Sequence, residues 1–196
     1  LPPLTLCSVS PLIEEISGPG VRVIDPRVEL DYVMETLRLV RREIDGTTPL
    51  IGFAGAPYTL ASYVVEGGHS RDYAHVKKLM LDDPVTFGRL TELLAEVVAG
   101  YLLAQIEAGA QAVQLFDSWV GWLGPFDYER FVLPHLRYVV DQVRGHGAPV
   151  IYFANGASGM LDLVSQAGAD VYGVDWRIGL DRAWEFFGAM PHVLIP

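Results

Sequence analysis

The sequence predicts an α/β fold built on parallel strands, and two observations predict it. Five short runs, "PLIGFAG" (49–55), "QAVQLFDS" (111–118), "PVIYFANG" (149–156), "DVYGVDW" (170–176) and "HVLIP" (192–196), are almost continuously apolar, most of them halting at Gly- or Asp-rich breaks. Strands buried on both faces read this way. Segments of helical period separate them, giving the order β-α-β-α-β-α-β-α-β, which implies right-handed βαβ units.

The first 48 residues hold a turn-rich start, a short strand at "VRVI" and an amphipathic helix over about 28–44. After "PLIGFAG", Pro57 suits the first turn of a helix. The next helix is opened by "DDP" (82–84) and carries Leu90, Leu93, Leu94, Val97, Val98 and Tyr101 on one face. In "YERFVLPHLRYVVDQVRGHG", Pro134 predicts a kink or a helix start, and Gly145 and Gly147 close the segment. Shorter helices closed by glycine follow at 158–168 and 181–188. Between a doubly wound sheet and a (β/α)8 barrel the pattern leaves the choice open. The lack of Gly-x-Gly-x-x-Gly after a strand weakens the dinucleotide-binding version.

The 196 residues suffice for one domain, 1–196, and fall short of two. A net charge of −10 argues against nucleic acid as a partner. It leaves room for an anionic small substrate held by a few local cations. The single cysteine, Cys7, allows neither an internal disulfide nor a cysteine-based metal site. No apolar run is long enough to cross a membrane. The start "LPPLTLCSVS" lacks the features of a signal peptide, and both ends read as cut through a longer chain.

In parallel α/β folds the chemistry sits beyond the carboxyl ends of the strands. That rule selects Phe53 to Tyr63, Phe116 to Gly121, Phe153 to Gly156 and Asp175 to Arg177. Gly55 and Pro57 read first as a tight turn, Tyr63 as a core aromatic and Glu66 as a solvated or salt-bridged helix end. Asp117 and Ser118 put two short polar groups at the rim. A serine nucleophile needs a histidine base, and none of His69, His75, His135, His146 or His192 ends a strand with a clear partner. Three of them read as surface residues of helical segments. Arg177 faces an anion or Asp175 caps the next turn, two readings of equal weight. Neither Gly-x-Ser-x-Gly nor His-Glu-x-x-His occurs.

These residues carry a resemblance. "PLIGFAGAPYTLASYVVEGG" resembles the signature of the uroporphyrinogen decarboxylase family, Gly-Phe-x-Gly-Ala-Pro-aromatic-Thr-Leu followed by Tyr-x-(Val/Ile)-Glu-Gly, and "GAQAVQLFDSWVGWLGP" its second stretch. "PVIYFANGA" and "YGVDWR" follow in the right order. The resemblance implies an incomplete (β/α)8 TIM barrel, since the family is a distorted barrel. It implies removal of the four acetate carboxyls of uroporphyrinogen to give coproporphyrinogen, in haem and porphyrin biosynthesis, with no metal or organic cofactor. It further implies a cytoplasmic enzyme that is a homodimer at full length and takes neither nucleic acid nor membrane as partner. Carried over residue by residue, it makes Tyr63, Ser118 and Phe116 substrate-binding. The family's catalytic Asp is expected before residue 1 and its His after residue 196, so no catalytic residue is assigned here, and Asp117 is not put in that place. The alternatives are a cobalamin-related methyltransferase of the same superfamily, or a barrel fragment without function.

Overall fold

The computed structural model describes residues 23–44, 46–68, 70–188 and 193–195. Cys7, His69 and His192 lie outside them. Two helices come first, α1 (Pro26–Glu29) and α2 (Asp31–Ile44), where one was expected. Leu30 breaks the run with φ −120° and ψ 30°. Asp25 caps α1 by accepting the Arg27 N–H, so the chain at Val23 and Ile24 is irregular and not the expected strand. Val21 and Arg22 fall outside the described residues. Arg27 then grips Glu107 with two hydrogen bonds of 2.8 and 2.6 Å.

Five parallel strands follow: β1 (Ile51–Gly55), β2 (Ala112–Asp117), β3 (Val150–Ala154), β4 (Val171–Gly173) and β5 (Val193–Ile195). Their order in the sheet is β1-β2-β3-β4-β5. Each strand lies beside its predecessor, without the reversal of strand order that defines a doubly wound sheet. Between them run α3 (Pro57–Glu66), α4 (Ala74–Asp82), α5 (Pro84–Glu107), α6 (Pro125–Asp127), α7 (Leu133–Val143), α8 (Leu161–Val164) and α9 (Leu180–Phe187).

The two faces of the sheet differ. Val113, Leu115, Val150, Tyr152 and Tyr172 point into one core with Phe87, Leu102, Leu136 and Val139 of the helices, and all are fully buried. On the other face Ile51 is 47% exposed and Phe53 61%. The expectation that every strand is buried on both faces is therefore corrected at β1. The helices cover one face, and no described residue covers the other side of this strand. The edge of β1 that no described strand pairs is guarded nonetheless. The Gln105 amide of α5 accepts the Phe53 N–H at 2.9 Å and donates to its carbonyl at 3.0 Å. Gly52 makes room for it, since a Cβ there would lie 2.6 Å from Gln105 Oε1.

Pro134 acts as a helix start. A π-helical turn at Tyr128–Val132 precedes α7, and Pro134 occupies the first turn of the helix, where its missing N–H costs nothing. His135 is half-buried and shares a 3.0 Å hydrogen bond with Thr91 of α5. His75 is half-buried too, so of the three helical histidines only His146 is the expected surface residue.

Asp117 ends β2 with its side chain on the helix face, fully buried. One carboxyl oxygen accepts from Thr59 Oγ1 of α3 at 2.8 Å, the other from the Tyr152 hydroxyl of β3 at 3.0 Å. Tyr152 in turn meets the Tyr128 hydroxyl at 3.1 Å. Burial raises the Asp117 pKa from 3.8 to about 7, against the two hydrogen bonds, which lower it. A raised folded-state pKa contributes stability that is complete below the ordinary value and lost as pH climbs to the folded one. Asp117→Asn, whose amide serves the same neighbours, removes this dependence. Relative to the parent, the variant should gain stability at up to roughly 1.4 kcal/mol per pH unit between about pH 4 and 7, then level off. Urea unfolding across that range checks it, and a constant difference would show that the buried carboxyl titrates normally.

Candidate functional site

The strand-end loops after β2, β3 and β4 converge on a cleft of about 200 Å³, lined by Ser118, Gly121, Trp122, Asn155, Gly156 and Arg177. Its position follows from Asp117. With that side chain held on the helix side, the next residue, Ser118, faces the cleft, and its carbonyl accepts from Asn155 Nδ2 at 3.0 Å. The loops after β2 and β3 also meet backbone to backbone. The Gly121 N–H donates to the Asn155 carbonyl at 3.1 Å. A Cβ on Gly121 would lie 2.6 Å from that oxygen and 2.7 Å from Gly156 Cα. Gly156 itself has φ +77°, which only glycine adopts freely.

The loop after β4 is tied in by charge. Asp175 accepts the N–H groups of Gly156 and Arg177, and one guanidinium nitrogen of Arg177 at 2.8 Å. Burial by itself would raise the Asp175 pKa. The two N–H donors and the Arg177 charge outweigh it and hold the carboxyl below its ordinary value. The same guanidinium nitrogen donates to Asn155 Oδ1 at 3.3 Å, and the Arg177 guanidinium stands 4.7 Å from the centre of the Trp176 ring. The capping reading of Asp175 is borne out, and Arg177, its partner, lines the cleft.

Of the three expected site residues, Ser118 lines this cleft, whereas Phe116 and Tyr63 are not among its lining residues. Phe116 lies on the face of the sheet away from the helices, 37% exposed, with Phe53 and Phe153 edge-on at 5.9 and 6.1 Å. Gly173 leaves space for the Phe153 ring, which a Cβ would meet at 2.8 Å. Tyr63 on α3 is 42% exposed, which removes the core-aromatic reading. Its ring meets Trp119 edge-on at 6.0 Å, and Trp119 packs on Tyr73 at 4.7 Å. Tyr63 thus reaches the Ser118 loop through Trp119. Glu66 is half-buried and makes no salt bridge among the described residues. It accepts the Val76 N–H at 3.0 Å and so joins α3 to α4.

The contact between Gly121 and Gly156, the part played by Asn155, and Tyr73 were not foreseen. Asn155 stood in a selected segment, and its place in "ANG" after a strand was the available signal. Tyr73 has φ +55°, a left-handed backbone that its residue type gives no hint of. Among the described residues no group of three or more His, Cys, Asp or Glu side chains is placed to hold a metal ion, and no helix is long and apolar enough to cross a membrane.

Gly121→Ala should force the two loops apart. The expected cost is about 1–3 kcal/mol in thermal unfolding, with weaker ligand binding at the cleft. An unchanged melting temperature would mean that the loops yield freely.

Comparison with known proteins supplies the remaining observation. Residues 10–194 match the family model described as uroporphyrinogen decarboxylase (URO-D). A uroporphyrinogen decarboxylase of Carboxydothermus hydrogenoformans is 55% identical over 168 residues, covering 86% of this chain and 48% of that protein. One from Streptomyces coelicolor is 56% identical over 155 residues, 79% of this chain and 43% of the relative. One from Chloroflexus aurantiacus is 45% identical over 205 residues, 96% and 58%. The chain spans about half the length of the curated relatives it matches. With the second signature stretch supplying Ser118, Gly121 and Trp122 to the cleft, and the family match running over residues 10–194, the chain belongs to the uroporphyrinogen decarboxylase family.

Proposed function

We propose that the full-length protein removes the four acetate carboxyls of uroporphyrinogen as CO2 to give coproporphyrinogen, in porphyrin and haem biosynthesis. The observation that carries this reading is the cleft itself. The apolar row Phe53, Phe116 and Phe153 stands beside a polar rim of Ser118, Asn155 and Arg177. A tetrapyrrole has the same division, with apolar rings inside and carboxylates around the edge. On this reading Phe116 packs against the macrocycle, Ser118 donates to a substrate oxygen, and Tyr63 closes the side of the cleft. The five strands form part of a (β/α)8 barrel, consistent with their sequential order.

The reaction needs no external electron acceptor. A proton adds to a ring carbon of the pyrrole. The bond from the acetate methylene to the carboxylate breaks, and its electron pair flows into the protonated ring. CO2 leaves, and a second proton converts the exocyclic methylene to a methyl group as the ring carbon gives its proton back. Each acetate thus takes up one net proton and releases one CO2. The ring serves as electron sink, so neither metal nor organic cofactor is called for. The protein's part is to stabilise the cationic ring and hold the carboxylates. We place the enzyme in the cytoplasm, as a homodimer with facing clefts.

Incubating the full-length protein with uroporphyrinogen I or III under anaerobic conditions should yield hepta- to tetracarboxylate products. Absence of product from well-folded protein would overturn the proposal.

Tyr63→Phe separates binding from packing. The ring contact with Trp119 survives, and the exposed hydroxyl makes no hydrogen bond among the described residues. Turnover in the full-length protein should fall by roughly tenfold or more with the melting temperature unchanged. Normal turnover with lowered stability would make Tyr63 a packing residue.

A further inference from the structure

We infer that Arg177 is a specificity-determining residue whose unused guanidinium edge binds one side-chain carboxylate of the substrate, an inference that rests on the tetrapyrrole reading above. A guanidinium carries five N–H donors in a planar fork. In Arg177 one terminal nitrogen makes both observed bonds, to Asp175 and to Asn155. Nε and the other terminal nitrogen have no partner among the described residues. Those two nitrogens form an edge that takes a carboxylate with two parallel hydrogen bonds.

The edge is held ready. Asp175 and Asn155 anchor one side, and the Trp176 ring lies against the guanidinium at 4.7 Å. The Asp175 carboxyl is 6% exposed, whereas the Arg177 side chain is 41% exposed. The anchor is therefore buried and the donor faces solvent. A pre-set fork loses less freedom on binding than a free arginine does.

Arg177 also stands where two clefts meet. The first is the Ser118 cleft. The second, of about 390 Å³, is lined by Ser158, Arg177, Ile178, Gly179, Asp181 and Arg182. Arg182 is exposed and makes no ion pair among the described residues. Across both linings Arg177 and Arg182 are the cations and Asp181 the one carboxylate. With Asp175 paired to Arg177, the trough is close to neutral in a chain of net charge −10, and so repels an anion less than the rest of the surface. A macrocycle against Phe116 would extend its carboxylates outward along this trough, past Ser118 and over Arg177.

Arg177→Gln and Arg177→Lys in the full-length protein test the assignment. Arg177→Gln should raise KM for uroporphyrinogen about tenfold and change kcat by less than about threefold. Arg177→Lys keeps the charge and loses the fork, so it should hold the melting temperature near that of the parent while restoring KM only in part. Titration with uroporphyrin I, followed by its fluorescence, should show the same order of affinities. An unaltered KM in Arg177→Gln, with the parent enzyme active, would overturn the inference, as would full recovery of KM by lysine. If the parent shows no turnover, the decarboxylase reading fails. Equal uroporphyrin affinity of parent and Arg177→Gln would then overturn the carboxylate site independently.

Discussion

The site depends on where one carboxyl group goes. Asp117 sits at the end of β2, where the chain passes from sheet to loop, and its side chain is drawn to the helix side by Thr59 and Tyr152. Thr59 belongs to the first turn of the helix after β1, and Tyr152 to β3. One buried group therefore couples the end of β2, the middle of β3 and a helix start. The cost of burying it is met by the hydrogen bonds and by its raised pKa. The outcome is directional. Because Asp117 points away from the rim, Ser118 and the Asn155 that bonds its carbonyl point into it.

Around that pivot the cleft is assembled from two kinds of contact. Backbone meets backbone at Gly121 and Gly156, which sets how near the loops after β2 and β3 lie. Charge meets backbone at Asp175, which binds the loops after β3 and β4. Neither contact relies on a long flexible side chain, so the floor of the cleft is stiff. Arg177 stands on the loop that Asp175 ties down, while the exposed Tyr63 and Phe116 stand on α3 and β2.

Much of this was legible in the sequence because the physics is local. Apolar runs, most of them stopping at Gly or Asp, marked all five strands to within a residue or two at most ends, and Pro57 and Pro84 stand in the first turns of their helices. The rule of strand carboxyl ends selected the segments that line the cleft. What escaped notice depends on contacts distant in sequence. The direction of Asp117 is decided by a threonine 58 residues earlier and a tyrosine 35 residues later. Glu66 looked like a solvated helix end because the N–H it caps begins another helix ten residues on. The burial of β1 was misread because an apolar run shows the character of a strand and not whether a layer covers each face.

The amide of Gln105 has a consequence for association. Strand edges recruit other strands because their peptide groups on that side lack partners. At Phe53 one side chain already occupies both groups, in the manner of a neighbouring peptide unit. A foreign strand docking there would first have to expel the amide, exchanging two existing bonds for two new ones with little net gain. Beside an apolar face that leaves Ile51 and Phe53 exposed, this single glutamine acts as a gatekeeper against self-templated β-addition, at the place where the sheet would otherwise be most inviting.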